Sequence, residues 1–544
     1  MMKKGSLLIL LFFAISTIYA QRIAENTYWY YFTDKEENGY SVNQPLDFLS
    51  ERSVERRAWQ SIPVDETDLP VTQMYVDSLA SLGLQVLYTS RWLNGVLISS
   101  SDADLIDTLH RLSFIDTLAW QPHENTRYFP GPPAGERFSL RSVAPAPLPY
   151  GFSGDQVRQL KVHYLHEEGY TGDGVRIAVL DAGFSNLENI PGFTSLVANG
   201  QLIATRNFVN RDETVFGSHS HGTNVSSIIA GYLPDTLIGT APDAELLLGM
   251  TENPASETRI EEYSWIEGAE WADSLGADII NTSLGYSVFD DPSTNYTYES
   301  MDGRTAHSSI ANGMTAAKGM VSVTSAGNQG NDTSWYYIGA PADAKNILAV
   351  GAVDVSGNIS SFSSRGPTYD HRIKPEVVAM GVLTVVQGSD GRARRGSGTS
   401  FASPLIAGAT ASLWQAYPAL SATELMRWII ESADQYKTAD ATYGYGIPSF
   451  RGAYWAITSS PRNENFPQIK VYPNPVNDHV SIEIPVSGNG QYMVKLYDIQ
   501  GRIVFSKAAN LPGRVSISQE IKPGMYILEA ARQHKYFRTR IIKN

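Results

Sequence analysis

Cysteine is absent from the 544-residue chain, so neither a disulfide framework nor a thiolate metal site can form. Long apolar runs are scarce as well, because only residues 7–15 form such a run and about 20 are needed to span a bilayer. Basic charge is in deficit, with 42 Lys and Arg against 56 Asp and Glu. A net charge of −14, without a basic stripe interleaved with aromatics, argues against a general nucleic-acid binder.

The composition is otherwise that of a globular protein with large cores, since 42% of the residues are hydrophobic and 18% are charged. The length predicts three or four folded units. Lys3 and Lys4 precede the apolar run, and Ala20 is a small residue suited to cleavage before Gln21. This pattern predicts a signal peptide over residues 1–20 and therefore export.

The region after the signal peptide alternates between the hydrophobic patterns of strands and of helices. Strand and helix patterns follow one another in the order β-α-β-β-α-β, which is typical of the ferredoxin-like fold. The strands are expected at residues 28–33, 84–88, 93–99 and 115–120, and the helices at residues 74–82 and 102–112. Residues 128–150 then hold six prolines, which predicts a linker and a natural processing site.

The central region reads as an α/β domain. Continuous apolar runs are typical of strands that are covered on both faces of a parallel sheet, and helical patterns separate them. The runs lie at residues 175–180, 277–280, 320–324 and 347–350, with helices expected at residues 267–275 and 400–417. Because open α/β sheets bind ligands at the carboxyl ends of their strands, Asp181 and Asn328 fall where a site is expected.

Residues 467–544 have a different character. Short alternating strands recur with glycine or proline turns between them, which predicts a small β-sandwich. The charge is also reversed, since eleven Lys and Arg against five Asp and Glu give +6, leaving −20 on the rest of the chain.

Three residues form a candidate for nucleophilic catalysis. Asp181 follows the first apolar run, His221 heads the string HGTNV, and Ser400 lies in GTSFASP ahead of a helix. A serine needs a base to become a nucleophile, and an acid can orient that base. The order Asp, His, Ser differs from the orders of chymotrypsin-like enzymes and α/β-hydrolases.

Each of these residues also has an ordinary interpretation. Asp181 alone reads as a helix-capping carboxylate, and Asn328 between Gly327 and Gln329 reads as a turn residue. His219 and His221 could face the same side as metal ligands, but no further ligand cluster lies near them in the sequence. The predicted site therefore contains no metal.

The strings VRIAVLDAG at Asp181, HGTNV, NTSLG at residues 281–285, SAGNQG around Asn328, and GTSFASP resemble those of the subtilisin-like serine proteases, or subtilases. The resemblance covers about residues 150–455. It implies a triad of Asp181, His221 and Ser400, and it implies that the Asn328 side chain donates to the oxyanion. It further implies an edge that pairs with extended substrate, formed by Ser283, Leu284 and Gly285.

The sequence departs from the subtilase pattern at three positions. Asn224 stands where the family usually has a second histidine, Phe401 replaces a common methionine, and Met380 interrupts the usual KPxxxAPG string. None of these departures changes a catalytic atom.

The flanking regions resemble two further families. The N-terminal region resembles a subtilase propeptide, which implies assistance in folding and a cap over the active site; the alternative is an accessory domain that stays attached. The strings VYPNP, LYDIQGR and GMYIL resemble the C-terminal sorting domain of type IX secretion cargo, which implies passage through the outer membrane. The alternative there is a substrate- or carbohydrate-binding module.

The sequence thus predicts a secreted serine endopeptidase that acts through an acyl-enzyme on Ser400, made as a precursor. Expected partners are protein or peptide substrates, its own propeptide and the type IX outer-membrane machinery, with no nucleic acid. The rival is a catalytically silent, surface-attached binding protein. The expected division is a signal peptide at 1–20, a propeptide-like domain at 21–127, a linker at 128–150, a peptidase domain at 151–457, a linker at 458–466 and a sorting domain at 467–544.

Two features stay open in the sequence. No cofactor is expected for catalysis, but subtilases often bind structural calcium, and residues 290–291 and 331–332 are oxygen-rich without matching a defined calcium loop. Arg392, Arg394 and Arg395 lie just before Ser400. They read either as a solvated hairpin tip or as charges that favour acidic residues in a substrate.

Overall fold

The structure is a computed structural model that describes residues 21–116, 118–119, 121, 127–131, 133, 137–138, 147–217, 219–459, 470–483, 490–498, 503–517, 521–532 and 535–544. The expected signal peptide, residues 1–20, lies outside these residues. The chain divides into two compact units, one made of Met1–Tyr40 and Glu66–Glu124, the other of Ser41–Asp65 and Asn125–Asn544. Residues 41–65, which lie inside the propeptide-like domain expected at 21–127, belong to the second unit.

The described elements up to residue 128 are β1 (Gln21–Ala24), β2 (Thr27–Phe32), α1 (Glu51–Trp59), β3 (Val64–Asp65), α2 (Gln73–Ser81), β4 (Gln85–Ser90), β5 (Gly95–Ser99), α3 (Ala103–Thr108), β6 (Ile115–Asp116) and β7 (Arg127–Tyr128). In the first unit, β2, α2, β4, β5, α3 and β6 follow the expected β-α-β-β-α-β order. Their antiparallel sheet runs β6-β2-β5-β4, with β1 also paired to β2. Phe32, Leu79, Val96 and Ile98 form the centre of its core.

The second unit continues with twenty further described helices and strands before residue 460. They are α4 (Gly154–Gln159), α5 (His163–Glu167), β8 (Arg176–Asp181), α6 (Thr194–Ala198), β9 (Leu202–Asn207), α7 (His221–Ala230), β10 (Tyr232–Leu233), β11 (Leu237–Ile238), β12 (Glu245–Met250), α8 (Ile260–Ser274), β13 (Ile279–Thr282), α9 (His307–Met314), β14 (Val321–Ser325), β15 (Leu348–Val353), β16 (Val377–Met380), β17 (Thr384–Gln387), β18 (Ala393–Gly396), α10 (Thr399–Ala416), α11 (Ala422–Glu431) and α12 (Phe450–Ser459).

A seven-stranded parallel sheet organises this unit, in the order β16-β15-β14-β13-β8-β12-β9. Strands β13, β14 and β15 are buried at every position, which is why their sequences are apolar without alternation. The four sequence-predicted strands are confirmed, each within three residues of its expected bounds. Because all strands are parallel, the carboxyl ends of β8, β13 and β14 lie at one edge of the sheet.

The C-terminal region consists of two antiparallel sheets. Its strands are β19 (Lys470–Tyr472), β20 (His479–Glu483), β21 (Gly490–Tyr497), β22 (Ile503–Leu511), β23 (Gly513–Ser516), β24 (Gly524–Arg532) and β25 (Lys535–Lys543). One sheet runs β19-β20-β23 and the other β22-β21-β24-β25. Val480 and Ile482 of the first share a core with Leu496 and Leu528 of the second, as expected for a β-sandwich.

In the part of the chain that the structure describes, no helix combines the length and the apolar character that crossing a membrane requires.

Candidate active site

Asp181 is the last residue of β8 and is completely buried. Its Oδ1 accepts a hydrogen bond from Nδ1 of His221 at 2.8 Å and another from the backbone N–H of Ala182 at 2.8 Å. The backbone carbonyl of Asp181 accepts from the N–H of Thr251, which fixes the strand end. The carboxylate is thus held in one orientation towards the imidazole and does not cap a helix.

His221 is the first residue of α7, and its side chain is 23% exposed. The close approach of this helix to the β8 turn depends on Gly222, whose N–H donates to the carbonyl of Gly183 at 2.9 Å. A Cβ on Gly222 would lie 2.6 Å from that carbonyl oxygen, so only glycine fits.

The electrostatic environment of His221 has two opposing parts. Burial alone would lower the pKa of the imidazole, but the charge and hydrogen bond of Asp181 raise it above the usual value. Because Nδ1 donates to Asp181, the proton acceptor of the neutral ring is Nε2. Nδ1 of the neighbouring His219 accepts the backbone N–H of His221 at 3.2 Å within the same turn.

Ser400 is the second residue of α10, close to the free N–H groups of the helix start. Its hydroxyl donates to the backbone carbonyl of Ser283 at 3.1 Å, and no hydrogen bond joins it to His221 among the described residues. The neighbouring Phe401 ring stacks on the His221 ring, with centroids 5.8 Å apart and planes at 29°. The contact between the start of α10 and His221 is therefore made by Phe401, the residue next to Ser400. Phe401 stands where the family usually has a methionine.

Asn328 lies beyond the carboxyl end of β14, and its side-chain oxygen is fully engaged. It accepts from the N–H of Thr399 at 2.8 Å and from the Thr399 hydroxyl at 3.0 Å. A backbone N–H can only donate, so the atom that faces it must be the amide oxygen. The NH₂ group of the exposed Asn328 side chain therefore points away from Thr399, with no hydrogen bond to any described residue.

Gly327 lets the loop bring Asn328 to this place. Its φ of +108° is strained for any residue with a side chain, and an added Cβ would lie 2.8 Å from the Ser364 hydroxyl. The N–H of Gly327 donates to the Thr399 hydroxyl at 3.2 Å. The loop after β14 and the start of α10 are thus joined through Thr399, a residue of the GTSFASP string whose role the motif alone does not indicate.

The segment Ser283–Gly285 follows β13. Ser283 is locked to α10, because its hydroxyl donates to the carbonyl of Ser400 at 3.0 Å. Its hydroxyl also accepts from the buried Asn281, which in turn accepts the Ser403 hydroxyl. Gly285 is exposed, and its backbone groups make no hydrogen bond to the described residues. The structure thus brings the segment beside Ser400 with the backbone groups of Gly285 open, while the Leu284 carbonyl accepts from the Ser325 hydroxyl at 3.5 Å.

The arginines before Ser400 lie in the hairpin of β17 and β18. Arg394 pairs with Asp390 at 2.5 Å with both side chains about half exposed, and Arg395 donates to the carbonyl of Leu383. Arg394 is thus bound within its own hairpin, which agrees with the interpretation as a solvated tip.

The carboxylates in the two oxygen-rich segments, residues 290–291 and 331–332, all accept hydrogen bonds from protein groups. Asp291 accepts from the N–H and hydroxyl of Ser293, and Asp332 accepts from the same groups of Ser334. Asp290 accepts the N–H of Glu257. Within the described ranges, no three or more His, Asp or Glu side chains are grouped to hold a metal ion.

Family comparisons cover three regions of the chain. The Subtilase family matches residues 172–446, which include Asp181, His221, Asn328 and Ser400. The peptidase S8 propeptide domain of Bacteroidota matches residues 27–131. A secretion system C-terminal sorting domain matches residues 470–544.

Curated proteins of similar sequence cover the same central region. Subtilisin from Bacillus pumilus is 32% identical over 311 residues, covering 56% of this chain and 98% of its own length. Subtilisin E from Bacillus subtilis is 32% identical over 311 residues, covering 56% of this chain and 71% of its own length. The membrane-bound transcription factor site-1 protease of Mus musculus is 32% identical over 269 residues, or 47% of this chain and 22% of that protein.

Among solved structures, the MycP3 protease from the type VII (ESX-3) secretion system matches with a TM-score of 0.45 and 21% identity. The match covers 59% of this chain and 93% of that one.

Proposed function

The chain belongs to the subtilase family of serine proteases, and on that premise we propose that it is an endopeptidase whose acyl-enzyme forms on Ser400. The observation that carries the proposal is the 2.8 Å hydrogen bond from Nδ1 of His221 to the buried Asp181. It leaves Nε2 as the free base beside the start of α10, where Ser400 lies. The protease domain in this proposal is residues 151–457.

The destination of the protease follows from its C-terminal domain. The sorting domain at residues 470–544 marks the chain as cargo of type IX secretion, which delivers proteins to the cell surface or the extracellular space. The propeptide domain at residues 27–131 marks it as a precursor.

In the proposed reaction, the Ser400 hydroxyl first turns from the Ser283 carbonyl to Nε2 of His221. Nε2 then takes the hydroxyl proton as Oγ bonds to the scissile carbonyl carbon, and the carbonyl electron pair moves to its oxygen. Asp181 stabilises the imidazolium that forms, because its carboxylate is buried and already oriented. The oxyanion then re-forms the carbonyl as the C–N bond breaks, and His221 gives its proton to the leaving amine. In the second half, Nε2 takes a proton from water as the water oxygen bonds to the acyl carbon, and His221 returns the proton to Oγ of Ser400 as the ester bond breaks.

The developing oxyanion needs donors that are in place before the reaction. The NH₂ of Asn328 is one candidate, because Thr399 holds the amide oxygen and turns the nitrogen outward. The backbone N–H of Ser400 is the other, since it belongs to the first turn of α10 and makes no hydrogen bond to the described residues. The positive end of that helix favours the same charge.

Substrate binding is proposed to use the open edge at Leu284 and Gly285. An extended peptide can pair with these backbone groups as an added strand, which gives affinity through main-chain hydrogen bonds. Ser283 cannot take part with its side chain, because its hydroxyl is engaged by Ser400 and Asn281.

The test compares purified wild type with Ser400→Ala by casein degradation, labelling with a fluorophosphonate probe and mass spectrometry of the chains. We expect the wild type to digest casein, take the label on Ser400 and lose N-terminal residues, while the variant does none of these. An intact, unlabelled wild type would instead favour a silent binding protein. Equal digestion by both would show that Ser400 is not the nucleophile.

A further inference from the structure

Residues 50–65, here called the clamp, lie inside the region matched by the propeptide domain but fold with the seven-stranded sheet. The clamp comprises Ser50, helix α1 and the residues up to Asp65, including β3. Ser50 caps the helix by accepting the N–H of Ser53, so the helix has a defined start. Its buried face is formed by two arginines, Arg56 and Arg57, and by Ser53.

Arg56 binds the loops that enter β13 and β14. Its Nε donates to the carbonyl of Lys318 at 3.1 Å, and its guanidinium also donates to the carbonyl of Ala277 and to the carboxylate of Asp273. Arg57 donates to the other oxygen of Asp273 at 3.0 Å. Two guanidinium groups thus share one carboxylate, and none of the three side chains is more than 1% exposed.

Arg52 binds a second buried carboxylate on the same edge. It donates to Oδ2 of Asp278 at 2.7 Å and to the carbonyls of Gly174 and Gly276. Asp278 also receives Arg137 at 3.2 Å, a residue of the linker whose side chain is 4% exposed. Burial would raise the pKa of Asp278, but Arg52 and Arg137 lower it, so the group stays ionised.

The two ends of the clamp are also fixed. At the start, the N–H of Ser50 donates to the carbonyl of Ser274 at 3.0 Å. After the helix, Gln60 donates to the carbonyl of Gly319 at 2.8 Å and accepts the N–H of Ala422 at 2.8 Å. Asp65 pairs with Lys318 at 3.3 Å. All the partners named here belong to the second unit, as the clamp itself does.

This binding surface is remote from the triad. Ala277 and Lys318 precede β13 and β14, and Gly174 precedes β8, so the clamp covers the amino ends of the strands. The triad lies at the carboxyl ends, and the six residues of β8 separate the two edges by roughly 16 Å. A peptide can therefore stay on this surface while the active site is open to substrate.

Removing the clamp would take both arginines away from the fully buried Asp273, and breaking a buried ion pair by removing one side of it is strongly unfavourable. We propose that the clamp stays bound to the protease after a peptide bond in the 128–150 linker is hydrolysed, as a non-covalent structural part of the mature enzyme. The remainder of the propeptide region is then the part that is degraded. The inference goes beyond the proposed function and does not depend on which residue is the nucleophile.

The first experiment uses the full chain with Ser400→Ala, so that no activity of its own is needed. A recognition site for a specific protease is inserted within residues 141–146, and the cut protein is examined by size-exclusion chromatography and denaturing mass spectrometry. A brief digestion with a broad protease follows. We expect a peptide containing residues 50–65 to remain in about equal amount with the protease body while residues 66–124 disappear. Loss of both together would overturn the inference.

Matched variants test whether the arginines hold the clamp. Arg56→Ala with Arg57→Ala should lower the retained fraction at least about tenfold, whereas Glu51→Gln, on the exposed side of α1, should retain it as the parent does. Equal retention in both would attribute binding to other contacts and contradict the inference. Should the double variant not fold, Arg52→Ala removes one anchor only and is expected to lower retention less.

A last measurement needs no substitution. Peptide mapping of the matured wild type should find residues 50–65 in a 1:1 ratio with the protease body, and their absence would overturn the inference. If the wild type proves inactive and does not mature, the Ser400→Ala experiment still reports on the clamp, so failure of the proposed function is distinguished from failure of this inference.

Discussion

At the scale of single residues, the proposed site depends on hydrogen bonds that fix one orientation of each side chain. Thr399 holds the oxygen of Asn328, and Asp181 holds Nδ1 of His221. The bonded atom determines which atom is left for the reaction: the amide nitrogen of Asn328 for the oxyanion, and Nε2 of His221 for the Ser400 hydroxyl. Such preorganisation is what makes a donor or base effective at the moment of reaction.

The pH dependence of activity tests the pair of Asp181 and His221. The raised pKa of His221 means that the ring stays protonated, and unable to act as a base, at pH values where a free imidazole is already neutral. We therefore expect kcat/KM of the wild type to fall as the pH decreases through an inflection above 6.5.

In Asp181→Asn the same inflection should move down, because burial remains and the neighbouring charge is lost, and kcat should fall by about 10⁴. Steady-state kinetics from pH 5 to 9 on a peptide substrate measure both effects. Asp212→Asn, an exposed carboxylate elsewhere in the chain, is the control and should leave the profile unchanged. An unshifted inflection in Asp181→Asn would mean that another group controls the rate.

The role of Asn328 as an oxyanion donor predicts a loss confined to kcat. Asn328→Ala should lower kcat by about 10²–10³ with KM nearly constant, a magnitude that was measured on subtilisin and is carried over here. Thr399→Val removes one of the two groups that hold the Asn328 oxygen and should give a smaller loss of kcat, about tenfold, while Thr399→Ser restores it. Asn331→Ala, in the same exposed loop, is the matched control. A rise of KM with constant kcat would assign Asn328 to substrate binding instead.

At the scale of elements, the sheet strands could be predicted because burial on both faces leaves continuous apolar runs such as residues 175–180. The positions of Asp181, His221 and Ser400 could be predicted as well, because each lies in a motif at which a strand or loop ends and a helix begins. The pairing of Asp181 with His221 was implied by the resemblance to subtilases. The rotation of Ser400 towards Ser283 could not be predicted, because side-chain orientation depends on neighbours distant in sequence.

Helix α1 and strand β22 could not be predicted from the sequence, because neither has a recognisable apolar pattern. The buried face of α1 consists of Arg56 and Arg57, so an apolar periodicity is absent and only a buried carboxylate 216 or more positions away explains it. Strand β22 is largely exposed, with Leu511 as its one buried residue, so alternation gives almost no signal. Both elements are determined by partners and not by local pattern.

Glu261 in the first turn of α8 and Glu257 in the loop before it have a testable pH effect. Glu261 is 4% exposed, and burial, with the nearby Glu257, raises its pKa to about 8. A carboxyl group whose pKa is raised on folding stabilises the folded state when protonated, and that contribution is lost as the pH rises through about 8. The neighbouring Glu257 behaves in the same sense, with a pKa of about 7.

We therefore expect Glu261→Gln to raise the melting temperature at pH 9 by about 2–4 °C and to change it little at pH 5, where Glu261 is protonated in the folded state. Differential scanning calorimetry of the Ser400→Ala background, which avoids self-digestion, measures this. Glu213→Gln, at an exposed site, should have no effect at either pH. An equal shift at pH 5 and pH 9 would show that packing, and not ionisation, is responsible.

At the scale of the whole molecule, the chain combines regions with separate cores and opposite charge. Leu496 and Leu528 belong to a core distinct from that around the seven-stranded sheet, and Trp455 contacts Tyr497 between α12 and β21. The C-terminal region carries +6 and the rest −20. Because the cores are separate, we expect the protease to fold without the sorting domain, and we expect export to require that domain.

Deleting residues 467–544 should thus separate activity from destination. In a host with type IX secretion, we expect the truncated chain to accumulate in the periplasm, and, once purified and matured, to cleave casein within about twofold of the full chain, because the seven-stranded sheet and its core are intact. Immunoblots of medium, cell surface and periplasm measure the distribution.

Full-length Ser400→Ala is the control, since it should reach the surface or medium although it is inactive, which shows that export does not need catalysis. Arrival of the truncated chain in the medium at the wild-type level would place the export signal elsewhere in the chain. Loss of its activity would mean that the C-terminal sheets support the protease fold, through contacts such as that of Trp455 with Tyr497.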